Sequence, residues 1–403
     1  MRKAVLIAAT LFLPAFAQEP LPPSGEGQNV TVTGIRIQDY RDRLAACLAR
    51  NCPVNEDADA TLALAEALFL NGAYPEARTA VAASLRRNRR RAADFPVPVS
   101  DLYRAHSRLS RHIGDDAVGI QSAHGILNAL QAGISTPDHR HFTARLELAE
   151  INMLMGRYTA ARRALNELIR EAERAGRHDV AAIAWLRDRW YNYMNFRHGD
   201  AKGELIRAAR DTDPARRIHA IGARILLARI YRAEGNQARA DTLFAEVGRA
   251  GASARRRLLH APPYLLGQQA PLLPDETRTD EAILFGNTLG RPTADYRNRW
   301  IDVGFWVMPD GRVAGLEIVR RGAGAEWADP LMASIRRRLY SAGPEASYRL
   351  ERYTMTGTIE VDGGSRIRRQ SPWARAEYLD LTIYDEPPPP GTPPAPEPEP
   401  TAG

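Results

Sequence analysis

A glycine recurs between pairs of amphipathic helical stretches across the middle of this 403-residue chain. The five glycines stand at positions 72, 114, 156, 199 and 235, so that successive copies are 42, 42, 43 and 36 residues apart. Self-similarity at such a period is typical of a stacked repeat array, in which each helix pair buries its apolar face on its neighbours. Five pairs exceed the three or so that a stable stack requires.

The first and third copies share an aromatic residue and an alanine after the glycine: Gly72-Ala73-Tyr74-Pro75-Glu76-Ala77 and Gly156-Arg157-Tyr158-Thr159-Ala160-Ala161. This Gly-x-Tyr-x-x-Ala turn resembles the tetratricopeptide repeat, although the period here is longer than in that family. The resemblance implies an α-solenoid over residues 39–260 that works by binding proteins or peptides.

Two alternating runs, residues 300–308 and 312–319, flank Asp310 and Gly311. Asp-Gly between such runs predicts a two-residue β-hairpin turn. In that register three apolar pairs face each other: Val307 and Ala314, Phe305 and Leu316, and Val303 and Ile318.

A helix and a third strand are predicted to follow. Asp329 is the expected N-cap and Pro330 the first helical residue. The apolar stripe is expected to be Leu331, Ile335 and Leu339, with three arginines, residues 336–338, in solvent. In the strand, Tyr353 and Met355 share an apolar face. Thr354, Thr356 and Thr358 form a polar face that is expected to meet water.

The ββαβ order and the turn Pro309-Asp310-Gly311-Arg312-Val313 resemble the TonB C-terminal domain over about 60 residues, here 299–361. The predicted fold class is therefore mainly α, a tetratricopeptide-like solenoid followed by a small α+β domain. The resemblance implies binding of receptor segments by strand addition. The expected partner-binding edge is Tyr353, Thr354, Met355, Thr356, Gly357, Thr358 and Ile359.

An open sheet edge of this kind is usually covered in natural proteins. Residues 378–384, with Leu379, Leu381 and Ile383 on one face, are expected to cover it, either as a displaceable strand or as a permanent fourth strand. The alternative cover is residues 29–36, Asn-Val-Thr-Val-Thr-Gly-Ile-Arg. That stretch looks like the Val-Thr-Gly segment of TonB-dependent receptors, or it is a linker or a strand against the first helix.

The N-terminus predicts export. Arg2 and Lys3 precede an apolar run, and Ala15-Phe16-Ala17 has the form of a signal-peptidase site, so residues 1–17 are expected to be cleaved before Gln18. The run is shorter than the ~20 residues that span a bilayer. A periplasmic protein without a stable membrane span is expected. Linkers are predicted at 18–38 and 261–298, an extension at 362–385, and a proline-rich disordered tail at 386–403.

The two cysteines, Cys47 and Cys52, are expected to form a disulfide in an oxidising compartment, because Asn51 and Pro53 allow the chain to turn back between them. A metal site at this pair is the alternative, but no histidine cluster accompanies it, so no metal or other cofactor is expected. The net charge of +7 is carried almost wholly by arginine. It fits anionic envelope material or a compositional bias, and export argues against nucleic acid.

Trp185, Trp190, Tyr191, Tyr193 and Phe196 form the densest aromatic cluster, and they either pack between repeats or line a cleft. No nucleophile elbow, zinc-binding His-Glu-x-x-His or phosphate-binding loop is present, so no catalytic residue is assigned and an enzyme is not expected. The function predicted from sequence is a periplasmic protein–protein scaffold, accessory to TonB-dependent transport or to envelope assembly. The alternatives are a membrane-retained TonB-type energy transducer and an enzyme of unknown class.

Overall fold

A computed structural model gives the fold of most of the chain. It describes residues 37–135, 138–154, 157–196, 199–250, 256–262, 264, 298–357, 359–361, 368–370 and 374–382. The predicted signal peptide, the possible strand at 29–36, Gly156, Thr358, Ile383, most of the connector and the proline-rich tail lie outside the described residues.

Eleven α-helices fill the described part of residues 37–250. They are α1 (Ile37–Ala49), α2 (Val54–Leu70), α3 (Tyr74–Asn88), α4 (Pro96–His112), α5 (Asp116–Gly133), α6 (His139–Leu154), α7 (Tyr158–Arg174), α8 (His178–Phe196), α9 (Gly199–Ala209), α10 (Arg217–Ala233) and α11 (Gln237–Ala250). Successive helices pack on one another through apolar faces, as a solenoid requires. The predicted mainly helical class with a small C-terminal sheet is confirmed.

The recurring glycines end helices. Gly72, Gly114 and Gly235 have φ of +80°, +81° and +82°, a region that glycine enters without steric cost. The residue after each donates to the carbonyl five positions back, as Ala73 does to Leu68, so the helix terminates in a Schellman motif. Gly199 is different, because it begins α9 instead of forming such a turn. Gly176, with φ of +69°, makes a turn of this kind between α7 and α8 that the sequence analysis missed.

A four-stranded antiparallel sheet follows the array. Its strands are β2 (Trp300–Val307), β3 (Val313–Arg321), β5 (Ser347–Thr356) and β8 (Arg375–Asp380), and their order in the sheet is β3-β2-β5-β8. Helix α12 (Asp329–Arg336) packs on one face. Two short pairs accompany it: β1 (Leu258–His260) with β4 (Leu339–Tyr340), and β6 (Ile359–Val361) with β7 (Arg368–Gln370).

The hairpin forms with Val303, Phe305 and Val307 fully buried, and the predicted pair of Val303 with Ile318 is confirmed. At the tip Val307 pairs with Val313 and Trp306 with Ala314, so the predicted pair of Val307 with Ala314 is wrong, and Phe305 lies at the shift in register. The cause is a turn wider than two residues, closed by the Met308 N–H on the Arg312 carbonyl, together with a bulge at Gly315 with φ of +59°.

The helix prediction also needs correction. Ala328 is the N-cap and Asp329 is already helical, because a 3-10 turn at Glu326–Ala328 precedes it. The helix ends at Arg336, so Leu339 lies in β4 and not on the stripe. Arg338, expected in solvent, is 7% exposed and donates to Glu351 at 2.7 Å and to the Tyr353 hydroxyl at 2.6 Å.

The third strand begins earlier than predicted and ends at Thr356. Its threonine face does not meet water: Thr354 is 2% exposed and Thr356 is 1% exposed. The array covers that face, so the sheet is enclosed between α12 on one side and helices α2 to α4 on the other. The expectation of a solvated face was wrong because the helices that cover it are some 280 residues away in sequence.

Candidate functional site

The turns within the helix pairs lie along one edge of the array, because helices joined by short loops pack antiparallel. We call this edge, with the turns at Gly72, at Gly114, between α6 and α7 and at Gly235, the turn row. The sheet domain rests on its first two turns.

The central contact at the first turn is a buried ion pair. Arg352 on β5 and Asp302 on β2 are both 0% exposed, and the Arg352 Nε lies 2.6 Å from the Asp302 carboxylate. The guanidinium also donates to the carbonyls of Phe69 and Leu70 at the end of α2 and stacks 3.9 Å from the Trp300 ring. The last carbonyls of a helix have no partner within the helix. Arg352 therefore compensates Asp302 and satisfies the end of α2 with one side chain.

Thr354 follows Arg352 by two residues on β5 and also faces the array, where two side chains hydrogen-bond to it. Its hydroxyl lies 2.9 Å from the Tyr74 hydroxyl and 3.0 Å from the His112 Nδ1. Burial lowers the pKa of His112 well below its usual range, and the neighbouring arginines Arg111, Arg352 and Arg375 lower it further. The imidazole is therefore neutral at pH 7, and this contact is a hydrogen bond between uncharged groups.

Strand β8 is attached to the second turn by charge. Arg375 donates two hydrogen bonds to Asp116, and Arg111 donates to Glu377 at 2.8 Å. Arg375 also lies 3.1 Å from Glu377, so the four groups alternate in sign. Charges arranged in this way stabilise one another and orient β8 on the array.

The turn glycines of these two repeats have no room for a side chain. A Cβ on Gly72 would lie 2.2 Å from the Trp300 Nε1, and one on Gly114 would lie 1.9 Å from the Gly357 carbonyl oxygen. Distances this short show that the indole of Trp300 and the backbone of Gly357 lie directly on the two turns.

The sheet domain is also fixed to the last repeat. Arg229 of α10 donates to the carbonyls of Leu259 and Leu258 at 2.6 and 2.8 Å. Leu259 packs among Ile221, Ala228 and Phe244, and Leu258 pairs with Tyr340 of the sheet domain. The domain therefore contacts the array at both of its ends.

Two positions of the turn row carry no such cover. A Cβ on Gly235 would meet no described atom within 4 Å. Leu154, two residues before the third glycine, is 38% exposed, which makes it one of the few exposed large apolar side chains among the described residues. Its counterpart at the first turn, Leu70, accepts a hydrogen bond from Arg352.

The predicted strand-addition edge is occupied. Tyr353 pairs with Tyr378, and Thr356 with Arg375, so Tyr353, Thr354, Met355 and Thr356 lie inside the sheet and are at most 4% exposed. Gly357 is buried at the second turn, whereas Ile359 belongs to the separate β6–β7 pair and Thr358 lies outside the described residues. The covering strand runs over 375–380 and begins three residues before the predicted segment; Leu379 packs on the array, and Leu381 is buried. Whether this strand can be displaced stays a prediction.

The two cysteines lie together. The structure joins Cys47 and Cys52 in a disulfide with Cα atoms 5.2 Å apart, and the chain turns back at Asn51, whose φ is +52°. Among the described residues, the cluster with ligand atoms close enough for a metal ion consists of these cysteines and Glu56. A disulfide uses both sulfurs, so this pair is not a metal site in its bonded form.

Sequence reasoning missed Asp302, Arg352, His112 and Arg375. One signal was available, because Asp302 is the lone acidic residue in an otherwise apolar strand, and such a residue needs a cationic partner. The hairpin offers Arg320, which pairs with Asp302 across the strands and donates to its carboxylate at 2.7 Å, but nothing local identified Arg352. In the described part of the chain, no helix combines the length and hydropathy needed to cross a bilayer.

No protein-family model matches the chain, and no curated protein is significantly similar to it. Among solved structures, BtubC (BKLC) of P. vanneervenii is 17% identical over 55% of this chain and 91% of its own, with a TM-score of 0.41. A Rap protein complexed with Competence and Sporulation Factor is 14% identical over 56% and 67%, with a TM-score of 0.32. A tetratricopeptide repeat protein of Parabacteroides merdae is 14% identical over 54% and 94%, with a TM-score of 0.27. These likenesses are too distant to support any inference about function.

Proposed function

We propose that this chain is an exported scaffold that acts through protein contacts, accessory to TonB-dependent outer-membrane transport or to envelope assembly. The observation that carries the proposal is the turn row. Its first two turns hold a folded domain of the same chain by helix-end carbonyls, buried ion pairs and close backbone contact. The same turn geometry recurs at Gly235 without such a contact. A surface built for binding protein is thus repeated beyond the part that the chain itself covers.

The location and the type of partner rest on sequence. Arg2, Lys3, the apolar run and the Ala15-Phe16-Ala17 site support export. The ββαβ order and the turn from Pro309 to Val313 support a link to TonB-type recognition of receptor segments. Such a segment would add to an edge of the sheet, because β5 is already paired on both sides. Among the described strands the edges are β3, which pairs only with β2, and β8, which pairs only with β5.

The test is site-specific photo-crosslinking in cells that express the full chain. A benzophenone amino acid replaces Leu154 on the turn row, and a matched variant carries it at Glu173. Glu173 is also exposed but lies in the last turn of α7, at the opposite edge of the array. We expect discrete cross-linked envelope proteins from position 154 and none from position 173. The same products from both positions, or none from either, would contradict a partner on the turn row.

Cell fractionation tests the location separately. An exported scaffold is released with the periplasm, whereas a TonB-type transducer stays with the inner membrane. The mass of the released protein, measured by mass spectrometry, should correspond to a chain that begins at Gln18. A chain that remains in the membrane fraction with residues 1–17 attached would replace the scaffold proposal with the transducer.

A further inference from the structure

A cavity of about 290 Å³ opens between α8, α9 and α10, away from the contacts of the sheet domain. Its main lining side chains are Trp185, Glu204, Arg207, Asp211, Arg216 and His219. The predicted aromatic cluster therefore divides: Trp190 is buried between helices, at 7% exposed, and Trp185 lines a cleft.

The charged side chains that line the cavity, two acidic and two basic, balance in number but are not all paired. Glu204 is engaged by Arg189, and Arg189 also bonds Asp188 and lies 5.1 Å from the Trp185 ring. Arg216, whose side chain is 64% exposed, and Asp211, whose side chain is 24% exposed, form a loose pair at 3.6 Å. Arg207 is exposed and makes no ion pair with any described residue. The cavity thus presents one guanidinium without an anion and a second that is weakly held.

The aromatic wall is uncharged. The rings of Trp185 and His219 meet edge to face at 4.3 Å. Burial lowers the pKa of His219, with a further contribution from Arg216, so the imidazole is neutral at pH 7. The indole of Trp185, which Arg189 and His219 both contact, therefore lines the cavity together with the unpaired cation.

This combination selects the ligand chemistry. A carboxylate can accept two parallel hydrogen bonds from a guanidinium such as Arg207. An apolar or proline residue next to that carboxylate can lie flat on the indole. The volume accepts one or two side chains, smaller than the sites that enclose whole cofactors. Asp211 and Glu204 at the rim disfavour a polyanion such as RNA.

We propose that this cavity binds an acidic segment of a protein partner, with a carboxylate on Arg207 and a neighbouring apolar residue on Trp185. The inference rests on the proposed scaffold function and specifies one kind of sequence that the scaffold takes. It adds a second contact region, on the array itself, to the turn row.

The test is fluorescence anisotropy with the full chain and a fluorescein-labelled peptide that carries a single Glu-Pro, against a matched Gln-Pro peptide. We expect the acidic peptide to bind more tightly, and Arg207→Gln to weaken it about tenfold, the usual effect of one charge-assisted pair. Trp185→Ala should also weaken binding. Because Arg207 is exposed, its variant tests the site even if Trp185→Ala does not fold.

The control is Arg210→Gln. Arg210 is exposed, follows Arg207 by three residues and is not part of the cavity lining, so its loss changes the net charge equally. We expect the affinity of the Arg210→Gln variant for the acidic peptide to stay within twofold of that of the parent chain. Equal weakening by Arg210→Gln, equal binding of the Gln-Pro peptide, or tighter binding of an oligonucleotide of the same length would overturn the inference. If the Leu154 cross-links persist while the acidic peptide fails to bind, the scaffold proposal stands and only this site is wrong.

Discussion

At the scale of single residues, one arginine does most to join the sheet to the array. Arg352 supplies donors to Asp302 and to two carbonyls of α2, and it stacks on Trp300. A lysine could not replace it, because a single ammonium cannot match this planar set of acceptors. Burying the pair is costly in itself, so its role here is to fix one docking position.

We predict that Asp302→Asn strongly destabilises the protein, because it leaves the Arg352 cation buried without an anion. Breaking a buried pair in this way costs about 3–5 kcal/mol. Chemical denaturation measures the free energy of unfolding. Glu317→Gln on the exposed face of β3 is the matched control and should change stability by less than ~0.5 kcal/mol. Similar small losses from both variants would show that Arg352 does not depend on Asp302.

The docked domain should also be sensitive to acid through His112. Its pKa is lowered in the folded chain, mainly by burial, whereas an unfolded histidine has a pKa of about 6.5. Below that pH the unfolded chain binds a proton that the folded chain does not, so the free energy of unfolding falls as the pH drops. Urea midpoints at pH 7.5 and 5.0 should therefore differ.

The variant His112→Asn isolates this effect, because asparagine keeps a polar atom near Thr354 and does not titrate. We expect it to lose less stability on acidification than the parent, by up to ~1.4 kcal/mol per pH unit. A residual slope should remain, since His106, His219 and His260 also have lowered pKa values. Identical slopes for both chains would exclude His112 as the acid-sensitive group.

At the scale of elements, repetition makes the turn glycines directly comparable. Gly114 and Gly235 share nearly the same φ and the same hydrogen bonds, but only Gly114 touches the sheet domain. Alanine at either site must adopt a left-handed backbone conformation, which costs roughly 1–2 kcal/mol. At Gly114 the added Cβ also collides with the Gly357 carbonyl oxygen.

We therefore predict that Gly114→Ala lowers the melting temperature clearly more than Gly235→Ala does. The excess measures the docking contact, because the backbone cost is common to both variants. Limited proteolysis should locate the difference, with new cleavage in the sheet domain of Gly114→Ala alone. Equal shifts in melting temperature would mean that the sheet adapts to the added methyl group.

The helices and the hairpin could be predicted from the sequence, because each has a local periodic pattern of apolar residues. Apolar residues at helical spacing gave the helix pairs, and the alternation around Asp310 and Gly311 gave the hairpin. What failed depends on distant partners. Thr354 and Thr356 have the pattern of a solvated face, but Tyr74 and His112 satisfy Thr354 from the array. Arg338 follows a helix and looks solvated, yet Glu351 lies in a strand that the local pattern cannot place beside it.

At the scale of the whole molecule, the sheet domain is bound to both ends of the array. Arg352, Thr354 and Arg375 attach it to α2 through α5, and β1 attaches it to α10 and α11. A repeat array alone can lose its terminal helices one pair at a time, because each repeat contacts only its neighbours. Closure by a second domain links the first pair to the last.

We predict that this closure makes the protein unfold in a single cooperative transition. Four of the six tryptophans, Trp300, Trp306, Trp327 and Trp373, belong to the C-terminal part, so tryptophan fluorescence reports mainly on the sheet domain. Far-ultraviolet circular dichroism reports mainly on the helices. The two denaturation curves should coincide for the parent chain. The fluorescence and circular dichroism curves should separate for Asp302→Asn, because the sheet is released first in that variant. For Gly235→Ala the two curves should coincide at a lower midpoint, because this substitution weakens a turn that does not touch the sheet. Separate curves in the parent chain would show that the two parts fold independently and that the contacts at both ends do not couple them.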